Sequence, residues 1–142
     1  MFDLANYLPY LINRAGVRVA AKFTQDVKSE NVSVQEWRVL AALSAYGPQR
    51  MSALADLTSI DRTTLSRLVT RMEEGGLVLR SRAEDDGREV HISLSTKGSA
   101  TAGHIIPLAQ RYEEIALEGF SAEEAAAFKD MLKRVYANFD RL

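Results

Sequence analysis

The sequence predicts a mainly helical α+β fold with its elements in the order α-α-α-α-β-β-α-α. Three features point to it. Over most of the chain, apolar residues recur every three or four positions, as one buried face of a helix requires. Between Leu77 and Leu94 the period drops to two on either side of a turn, which is the pattern of a hairpin. Caps and stops at Ser33, Asp61, Gly75-Gly76 and Ser121 divide the remainder into separate helices.

The first helix is expected from about Leu4 to Val27, with Leu4, Leu8, Leu11, Ala15, Val19 and Phe23 on one stripe. Pro9 should end a first turn or kink it. The second helix opens at Ser33, which forms a capping box with Glu36, while Val32 and Trp37 are placed as a hydrophobic staple. Trp37, Leu40 and Leu43 give its buried face, and Tyr46-Gly47-Pro48 stops it. Met51 to Leu57 is a short third helix with Leu54 and Leu57 inward. Thr58-Ser59-Ile60 is the turn after it, and Asp61 is the N-cap of the fourth. On that fourth helix Leu65, Leu68, Val69 and Met72 form the core stripe, and Gly75-Gly76 supplies a left-handed stop.

Two strands follow, Leu77 to Arg82 and Glu89 to Leu94. Leu77 and Leu79 share one face of the first; Val90, Ile92 and Leu94 share one face of the second. Glu84-Asp85-Asp86-Gly87 is the turn, with Asp-Gly its strongest pair. Ser95 caps a fifth helix, roughly Thr96 to Gly119, bearing Ile105, Leu108, Tyr112, Ile115 and Ala116, and Pro107 should bend it. Ser121 and Glu124 box the start of a sixth, whose stripe of Ala125, Phe128, Leu132, Val135, Phe139 and Leu142 runs to the last residue. One small lobe cannot bury the long first helix or this last stripe, so the outer helices are read as a homodimer interface. The organisation is a single domain over 1–142, with a central helix-and-hairpin lobe over 33–98 and dimerisation helices over 1–30 and 99–142.

A length of 142 residues suits one domain or one subunit of a dimer, and 46% hydrophobic with 26% charged residues is ordinary for a soluble globular protein. The absence of cysteine excludes disulfides, thiolate metal sites and thiol redox sensing. No basic lead precedes an apolar run at the N-terminus and no 18-residue apolar stretch exists, so the expectation is a cytoplasmic protein without signal peptide or membrane span.

The net charge of −1 argues against a nucleic-acid binder only as a sum. Arg62, Arg67 and Arg71 fall on the fourth helix and Arg80, Arg82 and Arg88 on the hairpin. Glu113, Glu114, Glu118, Glu123, Glu124, Asp130 and Asp140 cluster in the C-terminal part. On the fourth helix the off-core residues Thr63, Thr64, Ser66, Arg67, Thr70 and Arg71 are all Ser, Thr or Arg, without lysine, and no acid intervenes before Glu73. A merely solvated face mixes Glu with Lys. Hydroxyls and guanidiniums on a helix that follows a helix and turn, beside a hairpin, suit the major groove of duplex DNA. Arg67 is the candidate for a guanine edge, because its forked donor matches two acceptors. Thr63, Thr64 and Ser66 are candidates for phosphate or base edges, Thr70 and Arg71 for phosphate.

With these residues in place, the chain resembles the MarR family of winged helix-turn-helix transcription regulators. The resemblance runs over nearly the whole chain. It is carried by Asp61-Arg62-Thr63-Thr64-Leu65-Ser66-Arg67-Leu68-Val69, Glu74-Gly75-Gly76-Leu77-Val78-Leu79-Arg80, Asp86-Gly87-Arg88 and Leu94-Ser95-Thr96-Lys97-Gly98, and is densest between Trp37 and Gly98. It implies an obligate homodimer on a pseudo-palindromic operator, with each fourth helix in a major groove and each wing in the neighbouring minor groove. It implies repression, relieved by a small organic effector. Asp86 and Arg88 match the wing motif in which the acid orients the arginine entering the minor groove. The acids of the turn weaken the case for Arg80 and Arg82 as contacts.

By the same resemblance, Tyr10, Arg14 and Trp37 are candidates to line a pocket for an aromatic or carboxylate effector. The plainer alternative makes Trp37 a core staple and Arg14 a solvated or interface side chain. His91 and His104 lack partners at ligand spacing, so no metal is expected. No nucleophile with a base and no phosphate-binding glycine loop is present, so no cofactor is expected and an enzyme is rejected. The reading from another class is a winged-helix protein–protein interaction module without DNA binding, which would have no use for Arg67 and Arg88.

Overall fold

The computed structural model describes residues 1–82 and 89–142. The turn expected at Glu84–Gly87, and with it Asp86 and Arg88, lies outside the described residues. The elements are α1 (Leu8–Val27), α2 (Val34–Tyr46), β1 (Gln49–Arg50), α3 (Met51–Thr58), α4 (Arg62–Glu74), β2 (Val78–Arg82), β3 (Val90–Leu94), α5 (Thr96–Ala116) and α6 (Ala122–Ala137), with short 3-10 turns at Leu4–Asn6, Lys28–Glu30 and Asn138–Arg141. The chain divides into two compact units, Met1–Ala109 and Gln110–Leu142.

The first unit holds the core. Leu40 and Leu43 of α2, Leu54 of α3, Leu65, Leu68, Val69 and Met72 of α4, Val78 and Ile92 of the strands and Ile105 of α5 are all buried together. On α4 these positions follow the i, i+3, i+4, i+7 spacing of one helix face, so burying them turns the opposite face outward. At about 25 cal/mol per Å² of apolar area buried, each such leucine contributes on the order of 1.5–3 kcal/mol.

The helix ends match the caps read from the sequence. Ser33 Oγ accepts from the Glu36 amide at 3.1 Å, and Glu36 Oε1 accepts from the Ser33 amide at 3.3 Å. Val32 is buried in the core with Trp37 packed against it. Gly76, at φ +79°, takes the left-handed position after α4. Its amide donates to Glu73 O at 3.0 Å and the Leu77 amide to Met72 O at 2.9 Å, the paired bonds of a Schellman stop.

Several boundaries and faces differ from expectation. The chain forms a 3-10 turn at Leu4–Asn6 and restarts as α1 at Leu8, which places Pro9 in the first turn, where its missing N–H leaves no bond unmade. Leu57, expected inward, is 42% exposed. The buried pair on α3 is Leu54 and Thr58, one turn apart, and the Thr58 hydroxyl is satisfied by donating to Leu54 O at 2.6 Å. Leu79, expected on the inner face, is 53% exposed while Val78 is fully buried. Leu77 is consumed by the helix stop, so the strand's alternation starts one residue later and its phase inverts. Pro107 lies inside α5, which continues to Ala116.

Beyond the hairpin, β1 pairs with β3, giving the antiparallel order β1-β3-β2 with Gln49 opposite Ile92 and Arg50 opposite His91. The residues just before α3 are thereby joined to the wing, and Arg50 Nη1 donates to Glu89 at 2.6 Å. His91 Nε2 stands 3.5 Å from the other Glu89 oxygen.

The junction from β3 into α5 closes on the end of α4. Ser95 Oγ donates to Gly76 O and accepts from the Gly98 amide, and Lys97 Nζ donates to Gly75 O at 2.8 Å. A Cβ at Gly98 would overlap the Leu77 carbonyl oxygen.

In the second unit, Ser121 and Glu124 form the expected capping box at 3.0 Å in both directions. The Phe120 and Phe128 rings lie 6.2 Å apart and Lys129 pairs with Glu113. Phe128, Met131, Leu132, Tyr136, Phe139 and Leu142 are exposed, as are Leu8, Leu11, Ile12, Val17 and Val19 of α1 in the first unit. No helix of the described residues is long and apolar enough to cross a membrane.

Gly98→Ala is expected to lower stability by about 1–3 kcal/mol through overpacking against immobile backbone, read as a fall in the urea midpoint with unchanged slope.

Candidate nucleic-acid interface

The α3–turn–α4 segment is a helix-turn-helix. The turn is closed by Ser59 in the left-handed region, φ +55°, a conformation uncommon for a residue with a Cβ. Ile60 follows and is buried, which anchors the turn to the core. Asp61 then caps α4: Oδ1 accepts from the Thr64 amide at 2.9 Å and Oδ2 from the Thr64 hydroxyl at 2.6 Å. The Thr64 hydroxyl and amide bonds hold the Asp61 carboxyl below its ordinary pKa.

The outward face of α4 carries Thr63, Ser66, Arg67 and Arg71, all exposed, with Thr64 and Thr70 half-buried. Spacings of three and four residues set them in one strip running to Glu74. No hydrogen bond or ion pair holds Arg67 or Arg71 among the described residues, so both guanidiniums are available to a ligand. The strip therefore offers hydroxyls at its start, two guanidiniums along its length, and no acid until Glu73.

Besides Thr64, whose hydroxyl is held by Asp61, two further sequence candidates have internal partners. Thr70 Oγ1 donates to Ser66 O at 3.0 Å and accepts from Arg80 Nη2 at 3.1 Å. Arg80 also places Nη1 3.6 Å from Glu73, and its amide donates to the same carboxylate at 3.3 Å. Arg82 is exposed on β2, opposite Val90.

The three residues read as an effector site are not gathered in one place. The Arg14 guanidinium lies 5.5 Å from the Tyr10 ring centroid on α1 and, with Val17, Arg18 and Lys22, lines an open recess of about 580 Å³ on that helix. Trp37 packs edge-on against Phe23, with centroids 5.9 Å apart. It lines a different recess of about 550 Å³ with Arg38, Ala41, Tyr46, Leu57 and Ser59. Arg38 and Tyr46 escaped the sequence reading because helix periodicity places them off the buried stripe, and Leu57 because it was expected inward; periodicity does not say that α2 and α3 leave a hollow between them.

This arrangement has known counterparts. The MarR family model matches residues 32–90. The homoprotocatechuate degradative operon repressor of Escherichia coli is 31% identical over 116 residues, covering 81% of this chain and 78% of the repressor. The chain belongs to the MarR family of transcriptional regulators. A MarR-family regulator from Silicibacter pomeroyi has the same fold, with a TM-score of 0.86, 27% identity and coverage of 96% of this chain and 92% of that one. The regulator NadR, solved in complex with 4-hydroxyphenylacetate, is 25% identical with a TM-score of 0.84, covering 95% of this chain and 96% of its own. The Escherichia coli protein is named as an operon repressor and the Silicibacter pomeroyi protein as a transcriptional regulator.

In this MarR-family chain the α4 cap titrates. With the Asp61 pKa depressed in the folded state, its capping contribution is complete above the ordinary carboxylate range and is lost as pH falls through the folded value. Asp61→Asn keeps an oxygen acceptor at the N-cap. Its unfolding midpoint is expected to decline less steeply than wild type below about pH 4, measured by thermal melts followed by circular dichroism.

Proposed function

We propose that the protein is a homodimeric repressor that reads a pseudo-palindromic operator through α4 and is released by a small aromatic or carboxylate effector. The observation that carries this reading is the outward strip of α4, with Arg67 and Arg71 unengaged among the described residues and hydroxyls beside them on a helix-turn-helix. Arg67 sits mid-helix, where a forked donor reaches a guanine edge. Thr63, Ser66 and Arg71 flank it as phosphate or base contacts. Thr64 and Thr70 sit at the margin of the strip, and Arg82 and the wing residues Asp86 and Arg88 complete the proposed surface.

The dimer reading is supported by the exposed apolar stripes of α1 and α6 described above, which a second copy would cover. Residues 1–30 and 99–142 would supply that interface and residues 33–98 the DNA-binding lobe. Two-fold symmetry then sets half-sites roughly 34–36 Å apart.

For the effector, the recess at Trp37 is the favoured site. It combines an aromatic face from Trp37, a cation from Arg38 and a phenol from Tyr46. An aromatic acid would stack on the first and pair with the second. That the NadR complex holds 4-hydroxyphenylacetate is consistent with this chemistry. Tyr10 and Arg14, stacked together on α1, remain a secondary candidate.

The test is fluorescence anisotropy on a duplex recovered by the protein from a random-sequence pool, compared with scrambled DNA at two salt concentrations. Preferential, salt-sensitive binding by a dimer is expected; equal affinity for both duplexes removes the sequence-specific reading, and binding to neither leaves an interaction module. Arg67→Ala is expected to cost about 1–3 kcal/mol per half-site and to relax base preference at one position, whereas Arg71→Ala should weaken all sequences alike. If 4-hydroxyphenylacetate or a similar aromatic acid releases the DNA, Trp37→Ala should raise the concentration needed by about tenfold or more, a shift of roughly 1.4 kcal/mol, while leaving effector-free affinity within about twofold.

A further inference from the structure

We infer that Arg80 acts on DNA binding as a positioning residue, clamping the first wing strand to α4, rather than as a contact to phosphate. The inference rests on the reading of α4 as the DNA-binding helix. Arg80 meets α4 at three points from a single strand position. Its amide donates to Glu73 Oε2 at 3.3 Å, its Nη1 lies 3.6 Å from Glu73 Oε1, and its Nη2 donates to Thr70 Oγ1 at 3.1 Å. The Thr70 hydroxyl passes the connection on, donating to Ser66 O at 3.0 Å within the same helix. Only 30% of the Arg80 side chain is exposed.

Two consequences follow from this geometry. Glu73 is the first acid met along the α4 strip after the cap, and it would repel a phosphate backbone if left bare; the Arg80 guanidinium compensates it. The clamp also fixes the direction of β2 relative to α4. A helix and a hairpin that must enter neighbouring grooves together act as two linked modules. The second engages at an effective concentration set by how rigidly it is held to the first. A forked side chain bridging a carboxylate and a hydroxyl supplies that rigidity, where a lysine offers only a point charge.

The experiment measures operator affinity across a salt series for wild type, Arg80→Met, Arg80→Lys and Glu73→Ala, on the duplex that the wild-type protein selects from a random pool, with thermal melts of each protein. Arg80→Met is expected to weaken binding by about tenfold and Glu73→Ala by several-fold. Arg80→Lys should not restore wild-type affinity. In every variant the slope of log affinity against log salt should stay at the wild-type value, because no phosphate contact has been removed. Melting temperatures should move little, since a surface ion pair whose side chains are 30% and 39% exposed contributes little to stability.

Two results overturn the clamp alone. One is a slope reduced by about 0.9 for each subunit in Arg80→Met, with affinity raised in Glu73→Ala, which would make Arg80 a phosphate contact freed by loss of its acid. The other is unchanged affinity in both variants. A wild-type protein that selects no duplex overturns the reading of α4, and the clamp with it.

Discussion

Burial of Leu65, Leu68, Val69 and Met72 against α2, α3 and the sheet decides how α4 is presented, and most of what the molecule can do depends on it. A helix of this length has little stability by itself, since nucleation is costly and short helices are marginal in water. Packing supplies what propensity does not. Once the inner face is committed, the outer face can carry residues that contribute nothing to folding, and Arg67 and Arg71 are of that kind. The Asp61 cap and the Gly76 stop set where α4 begins and ends, so the strip of hydroxyls and guanidiniums is presented at a defined length and register.

The charge distribution has the same logic. A near-neutral chain carries a locally cationic helix because α4 holds Arg62, Arg67 and Arg71 against only Glu73 and Glu74 at its end. Within the first unit two acids beside the strip are engaged by neighbours. Asp61 is bound by Thr64, and Glu73 by Arg80. These two acids thus serve the geometry of α4, while Arg67 and Arg71 hold no partner among the described residues.

The wing is built into the lobe more firmly than a two-stranded hairpin allows. An isolated hairpin is marginally stable at best. Here β1 adds a third strand from the segment that leads into α3, and Arg50 reaches Glu89 across it. Ser95 and Lys97 tie the exit of the wing to the carbonyls at the end of α4, and Gly98 lets α5 approach the Leu77 backbone. With the Arg80 contacts, the wing strands meet the helix-turn-helix at both ends. Any motion of α3 and α4 relative to the wing must break several of these bonds at once, which favours rigid-body movement of the lobe over independent movement of its parts.

Much of this was legible in the chain alone. The capping boxes at Ser33 and Ser121, the Asp61 cap, the Gly75-Gly76 stop, the core stripe of α4 and the composition of its outer face are all local patterns, settled within about four residues by helix geometry. The matching of Ile92 to the inner face of β3 was equally local. Tertiary structure decided the rest. Val78 rather than Leu79 is buried because the helix stop takes Leu77, and Leu57 is exposed because Thr58, its hydroxyl satisfied at Leu54, fills the buried place. The strand at Gln49–Arg50 exists only through β3, some forty residues further along the chain. The separation of Trp37 from Arg14, and the engagement of Arg80 by Thr70 and Glu73, follow from where whole elements pack. Periodicity reports which face of an element is apolar; it carries no information about which distant side chain will meet the other.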